Sequence, residues 1–293
     1  MIQEQIEQVF SKQNKKDIVL AELNQEEWFV NKVMEGLYLV QAYLQKEYED
    51  EIKTERVSRV FKKYEDTDDL KELIESIFTI TSMHTDAIPL VSVASSLNGY
   101  FDMMPKIHAI HTMAEILAVL GNVDLYDTFY RKGQIYLRSR VRLSEDTLHE
   151  LNRLMYLPPM ISEPKLINRN RDTYHYSLKP ESMILGGKEN FHKGDISLDV
   201  LNTLSQQALS IDTEFFESCK PTKPEGMPVE DWEVYVAQMN YIYSFINEND
   251  IYITHKVDKR GRIYSCGYHF DYQGDDYHKA VLELANKQFI KVD

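Results

Sequence analysis

"IYITHKVDKRGRIYSCGYHFDYQGDD", residues 251–276, is the stretch whose reading decides the fold. Two runs suited to strands, "IYITHKV" and "RIYSCGY", flank "DKRG", a turn sequence, so a β-hairpin is expected with its turn at 258–261. The following "DDYHKAVLELAN" reads as a short closing helix. Gly261 would supply either a positive φ or room for close backbone approach. Arg262 would present a planar fork able to grip a phosphate, where a lysine offers only a point charge. On a strand Tyr264 faces the same side as Arg262, offering a ring to a base or sugar. Asp258 would orient an arginine or pin the turn through its own backbone. Lys256 and Arg260 add positive charge to the same hairpin.

Upstream of the hairpin, "DISLDVLNTLSQQALSIDTEFFESC" and "PVEDWEVYVAQMNYIYSFINEN" read as two helices. The first would be capped by Asp195 and present Val200, Leu204, Ile211 and Phe215 on one side. The second would start at Pro228 and carry Trp232, Val236, Met239, Tyr243 and Ile246. Those spacings suit an antiparallel pair joined by "KPTKPEGM". Before them lies a long irregular segment, rich in prolines (Pro158, Pro159, Pro164, Pro180) and containing Gly186-Gly187. A segment of that length in a compact protein serves binding or wraps another surface.

At "GQIYLRSRVRL" the apolar period becomes two, the signature of a strand. Arg138, Arg140 and Arg142 would project from one face, at a spacing comparable to successive phosphates. The bland alternative is a solvated strand edge. The first half is helical: "VNKVMEGLYLVQAYLQKEY" places Val30, Val33, Leu37, Val40 and Leu44 on one face. "DTDDLKELIESIFTITSM" opens with capping acids ahead of Leu70, Leu73, Ile74 and Ile77, and Pro105 and Gly121-Asn122 bracket a third helix. Together these readings give a mainly α chain with a small β component (α+β), in four parts. A helical N-terminal domain at 1–153 carries a basic strand at 134–143. A proline-rich connection follows at 154–194, then the helix pair at 195–249, and the hairpin with its short helix at 250–293.

The net charge of −14 argues at first against a nucleic-acid partner. The sign changes by segment, however. Residues 1–130 hold 12 Lys/Arg against 23 Asp/Glu, whereas residues 131–193 hold 12 against 7. A local electrostatic footprint is therefore compatible with the composition. No run of eighteen apolar residues is present, so no membrane span is expected, and the polar N-terminus reads as no secretory signal. Cys219 and Cys266 are solitary, which fits a reducing compartment. His108, His111 and Glu115 share a helix face, but the glutamate is not placed as in HExxH. His84 and Asp86 have no supporting neighbours, and no GxxxxGK[ST], GxGxxG or GxSxG pattern occurs.

With the hairpin, the sequence resembles the single-subunit DNA-dependent RNA polymerases of bacteriophages and mitochondria. Their T/D-x-x-G-R motif is matched by Asp258-Lys259-Arg260-Gly261-Arg262. The likeness runs on through Ile263-Tyr264, the Gln273-Gly274-Asp275-Asp276 turn, Lys279 and "LELANKQFI", which in the family is helical. Upstream, "LSEDTLHELNRLMYLPPMISEPK" resembles the short helix and proline-rich segment that precede the family's thumb. The segments at 195–219 and 228–249 stand where its thumb helices do. Residues 1–105 show no such likeness.

The resemblance implies that the hairpin opens a polymerase palm beside the template strand and the RNA–DNA hybrid. Arg262 would be the principal template-backbone contact, Gly261 would permit the approach, Asp258 would support the turn, and Tyr264 would line the hybrid path. Gln273 and Gly274 belong to the same conserved stretch of the family. The family's metal-binding aspartates, nucleotide-binding helix and His-Asp motif all lie downstream of this point and have no counterpart here. Phosphoryl transfer needs those carboxylates. The expectation is therefore a split polymerase, similar to the heterodimeric enzyme of a coliphage, rather than a truncated fragment. A second subunit with the palm and fingers would hold Mg²⁺ at its own active site and form an obligate heterodimer. Template DNA and the hybrid would be further partners, and the acidic N-terminal helices are a candidate surface for a transcription activator. The isolated chain would be inactive, and the setting would be the cytoplasm of an infected bacterium. The rival readings are a stand-alone single-stranded nucleic-acid-binding accessory protein and a purely structural helical adaptor.

Overall fold

The computed structural model describes residues 2–84, 86–186, 192 and 194–286. It is 51% helical with 13% strand in small sheets, so the chain is mainly α with a minor β component. Two compact units emerge, one of residues 15–148 and one of residues 1–14 with 149–293. The expected boundary at 153 thus moves slightly, and the first helix, α1 (Gln3–Val9), joins the other unit. Among the described residues no helix is long and apolar enough to cross a membrane.

Residues 15–148 take in most of α2 (Lys12–Leu23), then α3 (Glu27–Leu44), α4 (Glu51–Lys63), α5 (Thr67–Ser82), β1 (Ile88–Pro89), α6 (Leu90–Leu97) and α7 (Lys106–Leu120). The stripe residues Val33, Leu37 and Val40 of α3 are buried, as are Leu70, Leu73, Ile74 and Ile77 of α5. Burial of such side chains is the main stabilising contribution here, about 1.5–3 kcal/mol each. Val30, expected on the same stripe, is 40% exposed instead. Asp66 caps α5, accepting from the Asp68 N–H at 2.8 Å. Pro105 and Gly121 cap α7 as the sequence indicated. A three-stranded sheet, ordered β1-β3-β2, closes the unit from β2 (Tyr126–Arg131) and β3 (Gln134–Ser139). The expected basic strand therefore stops at Ser139, short of Arg140 and Arg142.

The last helix of that segment, α8 (Glu145–Arg153), leads into the second unit. Among its described residues the proline-rich connection holds the short strands β4 (Arg171–Asp172), β5 (Glu181–Ser182) and β6 (Ile184–Leu185). Beyond it the expected helix over 195–219 is not one helix. It is α9 (Leu198–Ser205), then β7 (Leu209–Ile211), then α10 (Thr213–Ser218). Leu209 exchanges two hydrogen bonds with Ile251, at 2.9 and 2.7 Å, and β7 pairs with β10 (Leu282–Leu284). These long-range ladders override a local spacing that suits a helix, because intrinsic propensity is worth only tenths of a kcal/mol per residue. Asp212 then restarts the helix by capping the Phe215 N–H at 2.8 Å. Asp195 is no N-cap; it accepts from the Asn170 N–H, and Ser197 stands at the cap position. The long α11 (Val229–Ile246) forms as expected, without a helical partner of equal length at 195–219.

The same β7–β10 pairing shortens the closing helix to α12 (Asp276–Ala280). Of the "LELANKQFI" segment, residues 287–290 lie outside the described residues. The hairpin itself forms from β8 (His255–Asp258) and β9 (Ile263–Ser265), in a sheet ordered β6-β8-β9 with β6 parallel to β8. Beneath it packs a core of Met160, Ile167, Tyr174, Met183, Ile184, Leu201 and Val257.

Candidate nucleic-acid interface

The β8–β9 register pairs His255 with Ser265, Lys256 with Tyr264 and Val257 with Ile263. His255 and Val257 are buried, so Lys256, Asp258, Arg262 and Tyr264 share the opposite, outer face. The turn closes with Asp258 N–H donating to the Arg262 carbonyl and Gly261 N–H donating to the Asp258 carbonyl, both at 2.9 Å. Gly261 has φ +84°, a region that L side chains rarely adopt, and a Cβ there would meet nothing within 4 Å. In this chain the glycine serves backbone conformation, and the space beside it is open.

Asp258 is the organiser of the turn. Its Oδ1 accepts from the N–H of Arg260 at 2.8 Å and of Arg262 at 3.1 Å. Its Oδ2 accepts from Arg260 Nε and Nη2 at 2.9 and 2.6 Å, and from the Tyr264 hydroxyl at 3.3 Å. Desolvation pushes this carboxyl up, but the hydrogen bonds from Arg260 and from the two backbone N–H groups outweigh it and leave the pKa at about 2. Arg260 is thereby engaged within its own loop, and Lys256 bridges to Glu181 at 2.8 Å. Among the described residues neither Arg262 nor Lys259 has an ion-pair partner, and both are exposed.

Gln273 and Gly274, singled out with the motif, both have structural contacts. The Gln273 side-chain amide accepts from the Ser265 N–H at 3.1 Å and donates to the Ile263 carbonyl at 3.3 Å. It thus satisfies the outer edge of β9 as a neighbouring strand would. A Cβ on Gly274 would lie 2.7 Å from the His278 Cβ and 3.0 Å from the Asp271 carbonyl oxygen, so only glycine lets the loop pass α12 so closely.

Several supporting residues were not anticipated. His255 is fully buried, its Nδ1 3.0 Å from Ser205 Oγ and its Nε2 bonded to the Tyr272 hydroxyl. Burial lowers its pKa to about 4. The Tyr174 hydroxyl donates to the His255 carbonyl at 3.1 Å, bracing β8 from below. One residue further, the segment is tied to α1. The buried Glu7 carboxylate accepts from Tyr176 N–H, Ser177 N–H and Ser177 Oγ at 2.6–3.1 Å, and His175 Nδ1 lies 3.3 Å away. Burial pushes Glu7 up, and these donors more than reverse it, to about 2. The signals were present: His255 interrupts the inward apolar alternation Ile251, Ile253, Val257, and Glu7 sits between Ile6 and Phe10 on an apolar helix face.

The second arginine group is arranged differently. Arg138 pairs across strands with Asp127 and lies over the Phe129 ring at 5.4 Å. Arg140 is held by Asp127 at 2.5 Å and Asp124 at 3.2 Å, which hold its pKa above the ordinary value. Arg142 is exposed beyond the strand. The expected row of three phosphate contacts is therefore interrupted at its middle member. Glu115, considered with His108 and His111, is bonded to Tyr43 and Arg56 and lies 3.4 Å from Lys53. No protein-family profile and no curated protein matches this chain.

Proposed function

We propose that this chain is the N-terminal subunit of a two-subunit phage-type DNA-directed RNA polymerase, acting in the cytoplasm of an infected bacterium. It grips template DNA and the RNA–DNA hybrid, while a partner chain with the palm and fingers carries the nucleotidyl-transfer site. The observation that carries this reading is the division of labour in the turn. Asp258 binds the Arg260 side chain and the Arg260 and Arg262 N–H groups, and among the described residues the Arg262 guanidinium, on the outer face with Tyr264, has no ion-pair partner. A free planar fork on a rigid hairpin suits a phosphate, and the adjacent ring suits a base or sugar. The two Mg²⁺ ions of such a reaction, which stabilise the attacking and leaving oxygens, belong to the partner. Asp258 does not fit a metal, since its oxygens already accept five hydrogen bonds.

The test is reconstitution with the product of the adjacent reading frame. A tight one-to-one complex on gel filtration and Mg²⁺-dependent, template-directed RNA synthesis are expected, with neither chain active alone. Arg262→Ala should abolish synthesis while the complex still forms. Wild-type elongation by that variant would overturn the assignment.

A further inference from the structure

The outer face of the β6-β8-β9 sheet continues past Lys256. Tyr252 and Thr254, just before β8, continue the alternation of buried and half-buried residues on the Lys256 side. Cys266, whose N–H donates to the Thr254 carbonyl at 2.8 Å, lies opposite Thr254. These residues help line a cavity of about 180 Å³, together with Pro158, Pro159, Thr173 and His175. The Lys256–Glu181 ion pair also lines it.

Two quantities define an occupant. A cavity of about 150 Å³ accommodates a benzene ring, so this one takes a single six-membered ring. Lys256 Nζ and the Glu181 carboxylate, 2.8 Å apart, place a donor next to an acceptor, which complements the mixed edge of a pyrimidine base. The location is equally specific. Lys256 lies two residues along β8 from Asp258, the rung shared with Arg262. At ~3.3 Å per residue the two are roughly 6.6 Å apart, comparable to the separation of successive phosphates on an extended strand. A strand held at Arg262 passes the cavity about one nucleotide later.

We propose that this cavity receives one unstacked pyrimidine base of the nucleic-acid strand whose backbone Arg262 holds. The inference rests on the nucleic-acid reading above and adds to it a base subsite with a size limit. The full chain should bind oligo-dT at least about fivefold more tightly than oligo-dA, the stacking and edge contacts of one accommodated base being of that order. Thr254→Phe, which fills the cavity, should erase the preference, and Arg262→Ala should weaken both oligomers alike. Because Thr254→Phe also risks the fold, Glu181→Gln serves as the second variant. It conserves shape and removes the charged acceptor, and should reduce the preference for oligo-dT. A 5-iododeoxyuridine within oligo-dT should cross-link to Tyr252 or His175. Equal binding of both oligomers, or a preference that survives in both variants, would overturn the base subsite and leave the nucleic-acid reading intact. Binding of neither oligomer would overturn both.

Discussion

Two arginine-bearing hairpins, β2–β3 and β8–β9, show how similar sequence chemistry leads to opposite electrostatic outcomes. In β2–β3 the acids stand across the strand, and Asp124 and Asp127 close on Arg140. In β8–β9 the acid stands at the turn itself, where Asp258 takes Arg260 and the backbone and leaves Arg262 open. A guanidinium already matched to carboxylates gains little by exchanging them for a phosphate. An unmatched one gains a charge-assisted, bidentate contact. Counting arginines therefore misleads; what matters is which of them the fold leaves without a carboxylate.

The largest effect that would break this contrast is on binding. Arg262→Ala should weaken single-stranded nucleic-acid affinity by about ten- to hundredfold, measured by fluorescence anisotropy, whereas Arg140→Ala should leave it unchanged. Equal losses would erase the distinction between the hairpins. Next, Glu7→Ala should lower the melting midpoint of the unit built from residues 1–14 and 149–293. It removes the charged acceptor of the part-buried Tyr176 and Ser177 bonds, and hydrogen bonds to a charged group contribute about 1.5–3 kcal/mol. Followed by calorimetry, the transition of residues 15–148 should not move. Gly261→Ala should cost about 1–2 kcal/mol through the positive φ, read as faster amide exchange at positions 261 and 262 than in the unsubstituted chain.

The pH dependence sharpens the same comparison. Burial depresses His255 to about 4 and His269 to about 3 from the ordinary 6.5. Below pH 6.5 the unfolded chain takes up protons that the folded chain refuses, so stability falls as pH drops from about 6.5 toward 4. Glu7 adds no pH dependence between 6.5 and 4.5, where its stabilisation is fully present. Its depressed carboxyl stabilises above 4.5 and is lost only as pH falls toward 2. The midpoint of the hairpin-bearing unit should drop between pH 7.5 and 5, and His255→Gln should flatten that drop. The smallest effect is on stability at Arg140. Exposed pairs contribute little, so Arg140→Ala should leave the melting midpoint of residues 15–148 nearly unchanged.

How far the sequence was legible depended on how local each cause was. The buried stripes of α3 and α5, the caps at Asp66, Pro105 and Gly121, and the β8–β9 turn all follow from residues within one or two turns of chain. The break of 195–219 into α9, β7 and α10 did not, because Ile251 and Leu282 cause it. The candidate interface divides in the same way. The roles of Gly261 and Asp258 in the turn were readable. The engagement of Arg260 by Asp258, of Lys256 by Glu181 and of Arg140 by Asp127 required side chains to meet in space.

By itself, the sequence determined the mainly helical class, the hairpin and the glycine that its turn conformation demands, since φ preferences and hydrophobic period act over a few residues. Only the tertiary structure decided that β7 is a strand, that Glu7 of α1 ties down Ser177, 170 residues away, and that among the described residues the Arg262 guanidinium has no ion-pair partner. Ladder pairing, burial and ion pairing depend on distances between remote residues, and those distances exist only once the chain has folded.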